Sequence, residues 1–463
     1  MEAINKPKVS VIITAHNYGR FLDKCLDSLT KQTYKDFEIV LVDDGSTDNT
    51  QDVIQSYKSK FPNNLKVIRV DNVGLSAACN KGISMSQGDF IIRLDADDYF
   101  DDNLLLVEER FLYENKDVDL VYSDYYTIDE DGKILEHNRL MKVNEEVDLL
   151  QRSPLAAGAM YKRICYDEIG GYNENLKIGE DYDFWMKFIT KFKVRNINLP
   201  LFYYRRHGAN MTKNMKGILH SKRIVKEEFV KRHYDGKLKN LKILAVIPAR
   251  GDMINGIKIP IANLNGKPLL SYTIDEAKKT ELFNKIVVST EDYDIASAAE
   301  KLGAYVIKRP IDLAKKTVHV DDVVRHVVDY LKKNDDYVPD LIAVLHLISP
   351  FKTSEHIKEG IFTQLIFKTD SIVSVCANLN FHWKPGRYGI EPLFNKRLLR
   401  DEKDTILEEN GAFYITTLEN LNNNGIIGNS VAYVEMMPNE AVRIYNEYDL
   451  WLAEQIIKNY KGG

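Results

Sequence analysis

The chain has 463 residues, of which 44% are hydrophobic and 28% are charged, and its formal net charge is −5. This length exceeds what one compact core usually holds, so we expect about two to four domains. The composition is that of an ordinary globular protein. The small negative charge gives no general reason to expect nucleic acid or an acidic surface as a partner.

The cysteines and the N-terminal residues bear on the cellular compartment. Cys25, Cys79, Cys165 and Cys376 are scattered without paired spacing, which predicts neither a zinc site nor a disulfide framework and suits a reducing compartment. Residues 1–8 lack the basic start and apolar core of a signal peptide. No apolar run approaches the ~18 residues of a transmembrane helix. We expect a cytoplasmic protein, with peripheral membrane association as an open alternative.

The first half of the chain alternates apolar strands with amphipathic helices. The first predicted helix places Phe21, Cys25 and Leu29 on one face. Such alternation predicts a parallel sheet covered by crossover helices. The strands are predicted near residues 9–13, 37–42, 66–70, 90–94 and 119–123.

The second half starts a new α/β unit after a charged helix that we predict over 217–234. We place the boundary near residue 237, which gives domains 1–237 and 238–463. The expected fold is therefore α/β, with two tandem Rossmann-like domains joined by a helical linker. The strands of the second domain are predicted near residues 242–247, 285–289, 341–347, 371–377, 411–416 and 431–435.

Two acidic clusters follow strands of the first domain. Asp43 and Asp44 end one strand, and Asp95, Asp97 and Asp98 end another. Because ligands bind outside the carboxyl ends of strands in an open α/β sheet, both clusters should face one crevice. Carboxylates packed so closely repel each other unless a cation lies among them. We therefore expect a hard divalent metal that holds a phosphate-bearing ligand.

Six motifs in order extend this interpretation over residues 7 to 215, and together they resemble the family-2 inverting glycosyltransferases of the GT-A fold. Any one motif alone is weak, whereas all six in this order are highly specific. They are Val11-Ile-Ile-Thr-Ala-His-Asn17, Val42-Asp-Asp-Gly-Ser-Thr-Asp48, Gly74-Leu-Ser-Ala-Ala-Cys-Asn80, Leu94-Asp-Ala-Asp-Asp98, Ile178-Gly-Glu-Asp-Tyr-Asp-Phe-Trp185 and Tyr203-Tyr-Arg-Arg-His207.

The resemblance implies a nucleotide-sugar donor and a glycan or lipid-linked acceptor, as in surface polysaccharide biosynthesis. Asp43 or Asp44 would accept the ring N–H of the nucleotide base. The loop of Ala15, His16 and Asn17 would lie along the base and ribose.

The same resemblance implies a metal centre for Mn²⁺ or Mg²⁺, which would stabilise the leaving diphosphate. Asp97 matches the direct metal ligand of the DxD motif, and Asp95 the contact to the ribose or to a metal-bound water. His207 matches the residue that closes over the metal. Arg205 or Arg206 would neutralise phosphate oxygens.

Inversion by direct displacement also needs a carboxylate that accepts the proton of the acceptor hydroxyl. Glu180 and Asp181 stand at a predicted helix start, where capping and compensation of the helix dipole are the alternative explanation. The resemblance favours Asp181 as the base, with Glu180 as its competitor. Phe184 and Trp185 beside the base would line an acceptor pocket or pack in the core.

Residues 241 to 457 resemble the cytidylyltransferases that make CMP-activated sialic and related acids. The matches include Val246-Ile-Pro-Ala-Arg-Gly251, Gly266-Lys-Pro-Leu269, Val288-Ser-Thr-Glu-Asp292 and Asn410-Gly-Ala-Phe-Tyr-Ile415. Arg250, Lys258 and Lys267 are the candidates for holding an anion in this domain.

This second domain departs from the family where the family binds phosphate and metal. The loop after Gly251 begins with Asp252 and keeps Lys258 as its only amine, and Arg443 and Tyr445 replace two metal-binding aspartates. We therefore expect a catalytically degenerate domain. One alternative is a bifunctional CMP-sugar synthetase and glycosyltransferase, in which Asp449 and Glu447 would be substitute metal ligands. A further alternative is a dimerisation or nucleotide-sensing module, with residues 381–400 at the interface of a homodimer.

Overall fold

The structure is a computed structural model that describes residues 6–143, 157–208, 214–251, 253–254, 256–378, 380–387, 389–393 and 406–459. It divides into two compact units, Met1–Val225 and Lys226–Gly463. The division lies inside the long helix that the sequence predicts, which is observed over Met215–His233. The boundary near residue 237 stays a prediction, and the polar stretch around it forms a short helix, Asp235–Asn240.

The N-terminal unit follows the predicted alternation of strands and helices. Its strands are β1 (Val9–Ala15), β2 (Phe37–Asp44), β3 (Leu65–Val70), β4 (Phe90–Asp95), β5 (Tyr99–Phe100), β6 (Leu120–Ile128), β7 (Ile134–Asn138), β8 (Ala159–Lys162) and β9 (Val194–Arg205). Its helices are α1 (Gly19–Thr30), α2 (Thr50–Tyr57), α3 (Leu75–Ser84), α4 (Leu104–Glu114), α5 (Arg163–Ile169) and α6 (Glu180–Ile189), and α7 (Met215–His233) begins in this unit.

These strands form one nine-stranded sheet of order β3-β2-β1-β4-β8-β6-β9-β5, with β7 paired to β6. Strands β1 to β4 are parallel, whereas β8 runs antiparallel to both of its neighbours. In the register of β1, Ala15 lies opposite Asp43 and Thr14 lies opposite Asp95. The carboxyl ends of the three strands therefore meet at one edge of the sheet, as the sequence predicts.

Burial explains why these strands form. All residues of β1 and β2 are buried, as expected for parallel strands covered on both faces. Helix α1 buries Leu22, Cys25, Leu26 and Leu29 in the same hydrophobic cluster as Val11, Ile13 and Leu41. The apolar face predicted for α1 is confirmed, and it anchors the loop between β1 and α1.

The C-terminal unit repeats the α/β pattern. Its strands are β10 (Ile243–Pro248), β11 (Met253–Ile254), β12 (Ile257–Lys258), β13 (Asn263–Leu264), β14 (Lys267–Pro268), β15 (Lys285–Thr290), β16 (Tyr305–Lys308), β17 (Leu341–Leu345), β18 (Ser371–Asn378), β19 (Trp383–Gly386), β20 (Gly389–Pro392), β21 (Ile406–Thr417) and β22 (Val431–Met436). Its helices are α8 (Asp235–Asn240), α9 (Leu269–Lys279), α10 (Tyr293–Lys301), α11 (Val320–Asn334), α12 (Ser354–Phe367), α13 (Leu418–Asn423) and α14 (Glu447–Asn459).

Seven strands build the central sheet of this unit, in the order β16-β15-β10-β17-β21-β18-β22. The first four are parallel, and β21 pairs antiparallel with β17 and β18. The expectation of two tandem α/β domains is thus confirmed. No helix among the described residues has both the length and the apolar content needed to cross a membrane.

Candidate active site

Asn17 connects the loop after β1 to the loop after β2 by hydrogen bonds. Its backbone adopts a left-handed conformation with φ of 59°, and its side-chain Oδ1 accepts a hydrogen bond from the Thr47 amide at 2.8 Å. The Asn17 amide donates to Ser46 Oγ at 2.9 Å. His16 contacts the carbonyl oxygen of Asp44 through Nδ1. The residues predicted to line the nucleotide therefore form one connected rim.

The two aspartates that end β2 serve the loops around them. Asp44 accepts hydrogen bonds from the amides of Val73 and Gly74, at 2.6 and 2.9 Å. Asp43 is fully buried and accepts from the Ser46 amide at 3.0 Å. A base N–H would be a further donor to one of these carboxylates, so the choice between them stays a prediction.

Asp97 and His207 meet at the end of β4. His207 Nε2 lies 2.9 Å from Asp97 Oδ2, and the two residues are only 4% and 9% exposed. The imidazole packs against the rings of Phe21 and Tyr18, with centroids 4.9 and 5.8 Å apart. The two predicted metal ligands are thus brought together by the fold.

The charge around this pair fits a cation. Burial, followed by the charges of Asp97 and Asp95, raises the pKa of the neighbouring Asp98 well above its ordinary value. Among the described residues no three His, Cys, Asp or Glu side chains gather in an arrangement that could hold a metal. Within the part of the chain that the structure describes, Asp97 and His207 are therefore the two candidate ligands here, and the oxygens of a diphosphate would have to supply others.

Arg93 connects the two acidic groups of the site, and the sequence analysis missed it. Its Nε and Nη2 donate to the two carboxylate oxygens of Asp95, at 2.8 and 2.9 Å, and its Nη1 lies 3.3 Å from Glu180 Oε1. With both oxygens of Asp95 bonded to Arg93, Asp95 suits the ribose or water contact better than direct metal ligation. The available signal was a charged residue within an apolar strand, since a buried charge needs a partner.

Asp181 has the properties of a general base. Burial first, and then the charge of Glu180, raise its pKa to about 6, against the lowering effect of Arg93. Glu180 is 5% exposed and is paired with Arg93. Asp181 also has part of the alternative role expected at a helix start, because its Oδ1 accepts a hydrogen bond from the Tyr182 amide in the first turn of α6. Asp181 is half-buried, whereas Glu180 is nearly buried and held by Arg93, so Asp181 is the more accessible of the two carboxylates and stays the predicted base.

The placement of Arg205 argues against the phosphate contact predicted for it. Its side chain is 3% exposed and donates to the backbone carbonyl oxygens of Asp97, Asp129 and Glu130, at 2.8, 3.2 and 2.6 Å. These bonds fix the turn that follows β6 against the end of β4. Arg206 is half-buried beside it and keeps its predicted phosphate role.

Two further side chains near the base belong to the core. Trp185 is fully buried, with its ring centroid 6.5 Å from that of Tyr122, and Phe184 stacks on Tyr172 at 4.7 Å. They do not line an acceptor pocket, because packing on other aromatic residues covers them. Cys79 is also fully buried, and burial raises its pKa to about 12.

In the C-terminal unit, Lys258, one of the residues predicted to hold an anion, is paired with two carboxylates. Lys258 Nζ contacts Asp292 at 2.9 Å and Asp294 at 3.0 Å, which raises the pKa of Lys258. The Gly251 amide donates to Glu291 at 2.7 Å. The Lys258 ammonium and the Gly251 amide, which the family resemblance would assign to phosphate binding, therefore already contact carboxylates of this chain. Asp252 lies outside the described residues.

The other two predicted anion ligands differ in exposure. Lys267 is exposed in β14, and Arg250 is half-buried after β10. The carboxylate considered as a substitute metal ligand, Asp449, accepts a hydrogen bond from the Tyr445 amide at 2.8 Å. Asp449 therefore stabilises the turn before α14. Arg443, which stands where the family places a metal-binding aspartate, lies 3.9 Å from Glu408.

Comparison with known families agrees with both halves of this description. Residues 10–173 match the family model described as Glycosyl transferase family 2, and residues 244–381 match the one described as Cytidylyltransferase. The chain thus matches the models of both families that its motifs resemble, and the two resemblances are confirmed.

Individual relatives cover mainly the N-terminal unit. An uncharacterized glycosyltransferase of Nostoc sp. is 33% identical over 216 residues, which are 44% of this chain and 66% of that protein. Hyaluronan synthase of Pasteurella multocida is 28% identical over 213 residues, 46% of this chain and 22% of the synthase. The chain thus spans less than two thirds of either relative. The crystal structure of S. aureus TarS 1–349 aligns with 24% identity and a TM-score of 0.41, over 48% of this chain and 65% of that one.

Proposed function

We propose that this protein is a metal-dependent inverting glycosyltransferase that transfers a sugar from a nucleotide-sugar donor to a glycan acceptor in surface polysaccharide or glycoconjugate biosynthesis. The observation that carries the proposal is the Arg93 bridge. Through it, the strand end that bears Asp95 and Asp97 and the helix start that bears Glu180 and Asp181 belong to one site. Donor and acceptor chemistry can therefore occur side by side.

The residues divide the reaction between them. The acceptor hydroxyl oxygen attacks the anomeric carbon of the donor, while the bond from that carbon to the diphosphate oxygen breaks and its electron pair leaves with the diphosphate. The attack comes from the side opposite the leaving group, which inverts the configuration of that carbon, and Asp181 accepts the hydroxyl proton. The rim around Asn17, together with Asp43 or Asp44, would hold the nucleoside end of the donor in place.

Asp97 and His207 would hold Mn²⁺ or Mg²⁺ together with the diphosphate. Such an ion, when bound, neutralises charge on the departing diphosphate. Because the pair supplies few ligands, we expect metal and nucleotide to bind together rather than separately.

The experiment is a panel of nucleotide sugars, assayed for hydrolysis and transfer with Mn²⁺ or Mg²⁺. Asp97→Asn and Asp181→Asn should each lower the rate on the order of 100-fold or more. Asp102→Asn and Asp183→Asn are matched controls. Asp102 is an exposed carboxylate shortly after Asp97 in the chain. Asp183 lies in the same helix as Asp181 and is paired with Lys187. Full activity of both site variants would exclude the proposal.

We further infer that the C-terminal domain has lost cytidylyl transfer, and the pairing of Lys258 with Asp292 and Asp294 supports this. The family match keeps the bifunctional alternative open, and release of pyrophosphate decides between them. Dimerisation remains a candidate role, since Trp383 in β19 is 49% exposed and Ile390 in β20 is 67% exposed. Residues 394–400 of the expected interface lie outside the described residues. A monomer of the full chain in light scattering would contradict the dimer.

A further inference from the structure

Arg93 occupies a position in which a cation is costly unless it is fully paired. It lies in β4 and is 9% exposed. A buried guanidinium loses its hydration, and only well-placed partners offset that cost. Here the partners are the carboxylates of Asp95 and Glu180, and the ring of Tyr172 lies with its centroid 6.0 Å from the guanidinium.

The geometry of the contacts distinguishes the two partners. Nε and Nη2 form a paired contact with both oxygens of Asp95, at 2.8 and 2.9 Å, which fixes the orientation of that carboxylate. The remaining nitrogen, Nη1, reaches Glu180 at 3.3 Å from the opposite end of the fork. One planar group therefore sets the spacing between β4 and the start of α6.

We propose that Arg93 is a positioning residue of the transfer reaction, which holds the donor-side carboxylate Asp95 and the base-side carboxylate Glu180 on a single guanidinium. This inference rests on the proposed function. Arg93 touches neither reacting atom; it acts through Asp95 on the donor and through Glu180 on the neighbouring base, Asp181.

The charges that face Asp181 come from three elements. Glu180 precedes it in α6 and raises its pKa, whereas Arg93 from β4 and Lys222 from α7 lower it. Cys79 from α3 and Tyr172 lie beside Arg93 and Glu180, and burial raises the pKa of both, so neither adds a charge near neutral pH. Without Arg93, the base would keep the repulsion of Glu180 and lose the opposing positive charge of the guanidinium.

The test compares Arg93→Met with Arg93→Lys in the full chain, by kcat and donor KM from pH 5 to 9. Arg93→Met should move the acid limb of kcat upward by about one pH unit or more, because an opposite charge near the base is lost. Arg93→Lys keeps the charge, but an ammonium group cannot reproduce the planar fork that contacts both oxygens of Asp95 and also Glu180. It should therefore keep the acid limb near that of the wild type and lose roughly 10-fold or more in kcat.

Glu180→Gln is the reciprocal variant. It removes the repulsion and should move the acid limb to lower pH, and adding it to Arg93→Met should return the limb toward the wild-type position. If Arg93→Met does not fold, as judged by circular dichroism, Glu180→Gln and Arg93→Lys decide alone. A purely structural role would lower the melting temperature without moving the acid limb.

The outcomes separate this inference from the proposed function. If Arg93→Met folds and shows an unchanged acid limb and kcat, the positioning role is overturned. If it does not fold, the same result in both Glu180→Gln and Arg93→Lys overturns it. A folded wild-type protein that neither hydrolyses nor transfers any donor of the panel would overturn the glycosyltransferase proposal instead.

Discussion

His207 and Asp97 lie 110 residues apart in the chain, yet the imidazole Nε2 and the carboxylate Oδ2 are 2.9 Å from each other. The antiparallel pairing of β5 with β9 brings His207, just beyond the end of β9, close to Asp97, just beyond the end of β4. One nitrogen and one oxygen donor thereby meet in a nearly buried place. A borderline or hard divalent ion accepts both ligand types.

The first prediction concerns the coupling of metal and nucleotide. Because Asp97 and His207 supply few ligands, Mn²⁺ alone should bind weakly, and Mn²⁺ with a nucleoside diphosphate should bind tightly. In a thermal-shift assay, the diphosphate should raise the melting temperature only when metal is present, as ligand-linked stabilisation requires. His207→Ala should abolish the shift, whereas His137→Ala at an exposed position should not. An equal shift after chelation would contradict metal-dependent binding.

The second prediction concerns pH. The pKa of Asp181 is raised to about 6, chiefly by burial. Since a general base must be deprotonated, the transfer rate should rise with pH through about 6 and level off above it. Single-turnover rates from pH 4.5 to 8.5 measure this limb. An acid limb near pH 4 would mean that an unperturbed carboxylate is the base.

The third prediction concerns stability at the same residue. A carboxyl group whose pKa is higher in the folded state binds more protons folded than unfolded, so stability falls as pH rises through the interval between the two values. For Asp181 this interval runs from its ordinary value of 3.8 to about 6. Asp181→Asn should therefore melt at a higher temperature than the wild type at pH 7.5 and close to it at pH 4. A lower melting temperature at pH 7.5 would show that the charged form is stabilised.

The fourth prediction separates the two neighbouring arginines. Arg205→Ala removes hydrogen bonds to three backbone carbonyls and should destabilise the fold by a few kcal/mol, since buried acceptors left unpaired cost ~1–3 kcal/mol each. Arg206→Ala should instead raise the donor KM with little change in melting temperature. Denaturant unfolding and steady-state kinetics of both variants test this. The reverse pattern would restore the phosphate role to Arg205.

The fifth prediction concerns the C-terminal domain. Incubation of the full chain with CTP, Mg²⁺ and a panel of nonulosonic acids should release no pyrophosphate. Any weak binding of CMP or CTP should be unchanged by chelator, because fixed cations rather than metal would hold the phosphate. Asp292→Asn combined with Asp294→Asn should tighten that binding by freeing Lys258. Metal-dependent CTP binding would revive the active synthetase.

The strands of the parallel sheets could be predicted because their burial is continuous. Val9–Ala15 and Phe37–Asp44 are buried at every position, and their sequences are correspondingly apolar. The strand Val194–Arg205, which pairs in parallel with β6 and antiparallel with β5, was not predicted. It contains Pro200 and exposed positions, and its pairing with β6 shifts register beside Asp124. Such a strand owes its existence to its neighbours rather than to its own pattern.

The residues of the candidate site also divide into those that the sequence predicts and those that depend on the folded structure. Asp43, Asp95 and Asp97 follow predictable strands, so their meeting at one edge follows from topology alone. The roles of Arg93 and Arg205 depend on where long side chains point, which motif order does not encode. Arg205 turns toward backbone carbonyls, and Arg93 reaches a helix that starts 87 residues later.

The burial of Cys79 and of two other thiols has a practical consequence for labelling. Burial raises the pKa of all four thiols, but Cys25, Cys79 and Cys165 are buried, whereas Cys376 in β18 is half-buried. Because the reagent must also reach the sulfur atom, a maleimide dye should modify Cys376 first. A fluorophore can therefore be placed in the C-terminal unit of the wild-type sequence, without first removing the cysteine that lies beside the candidate active site.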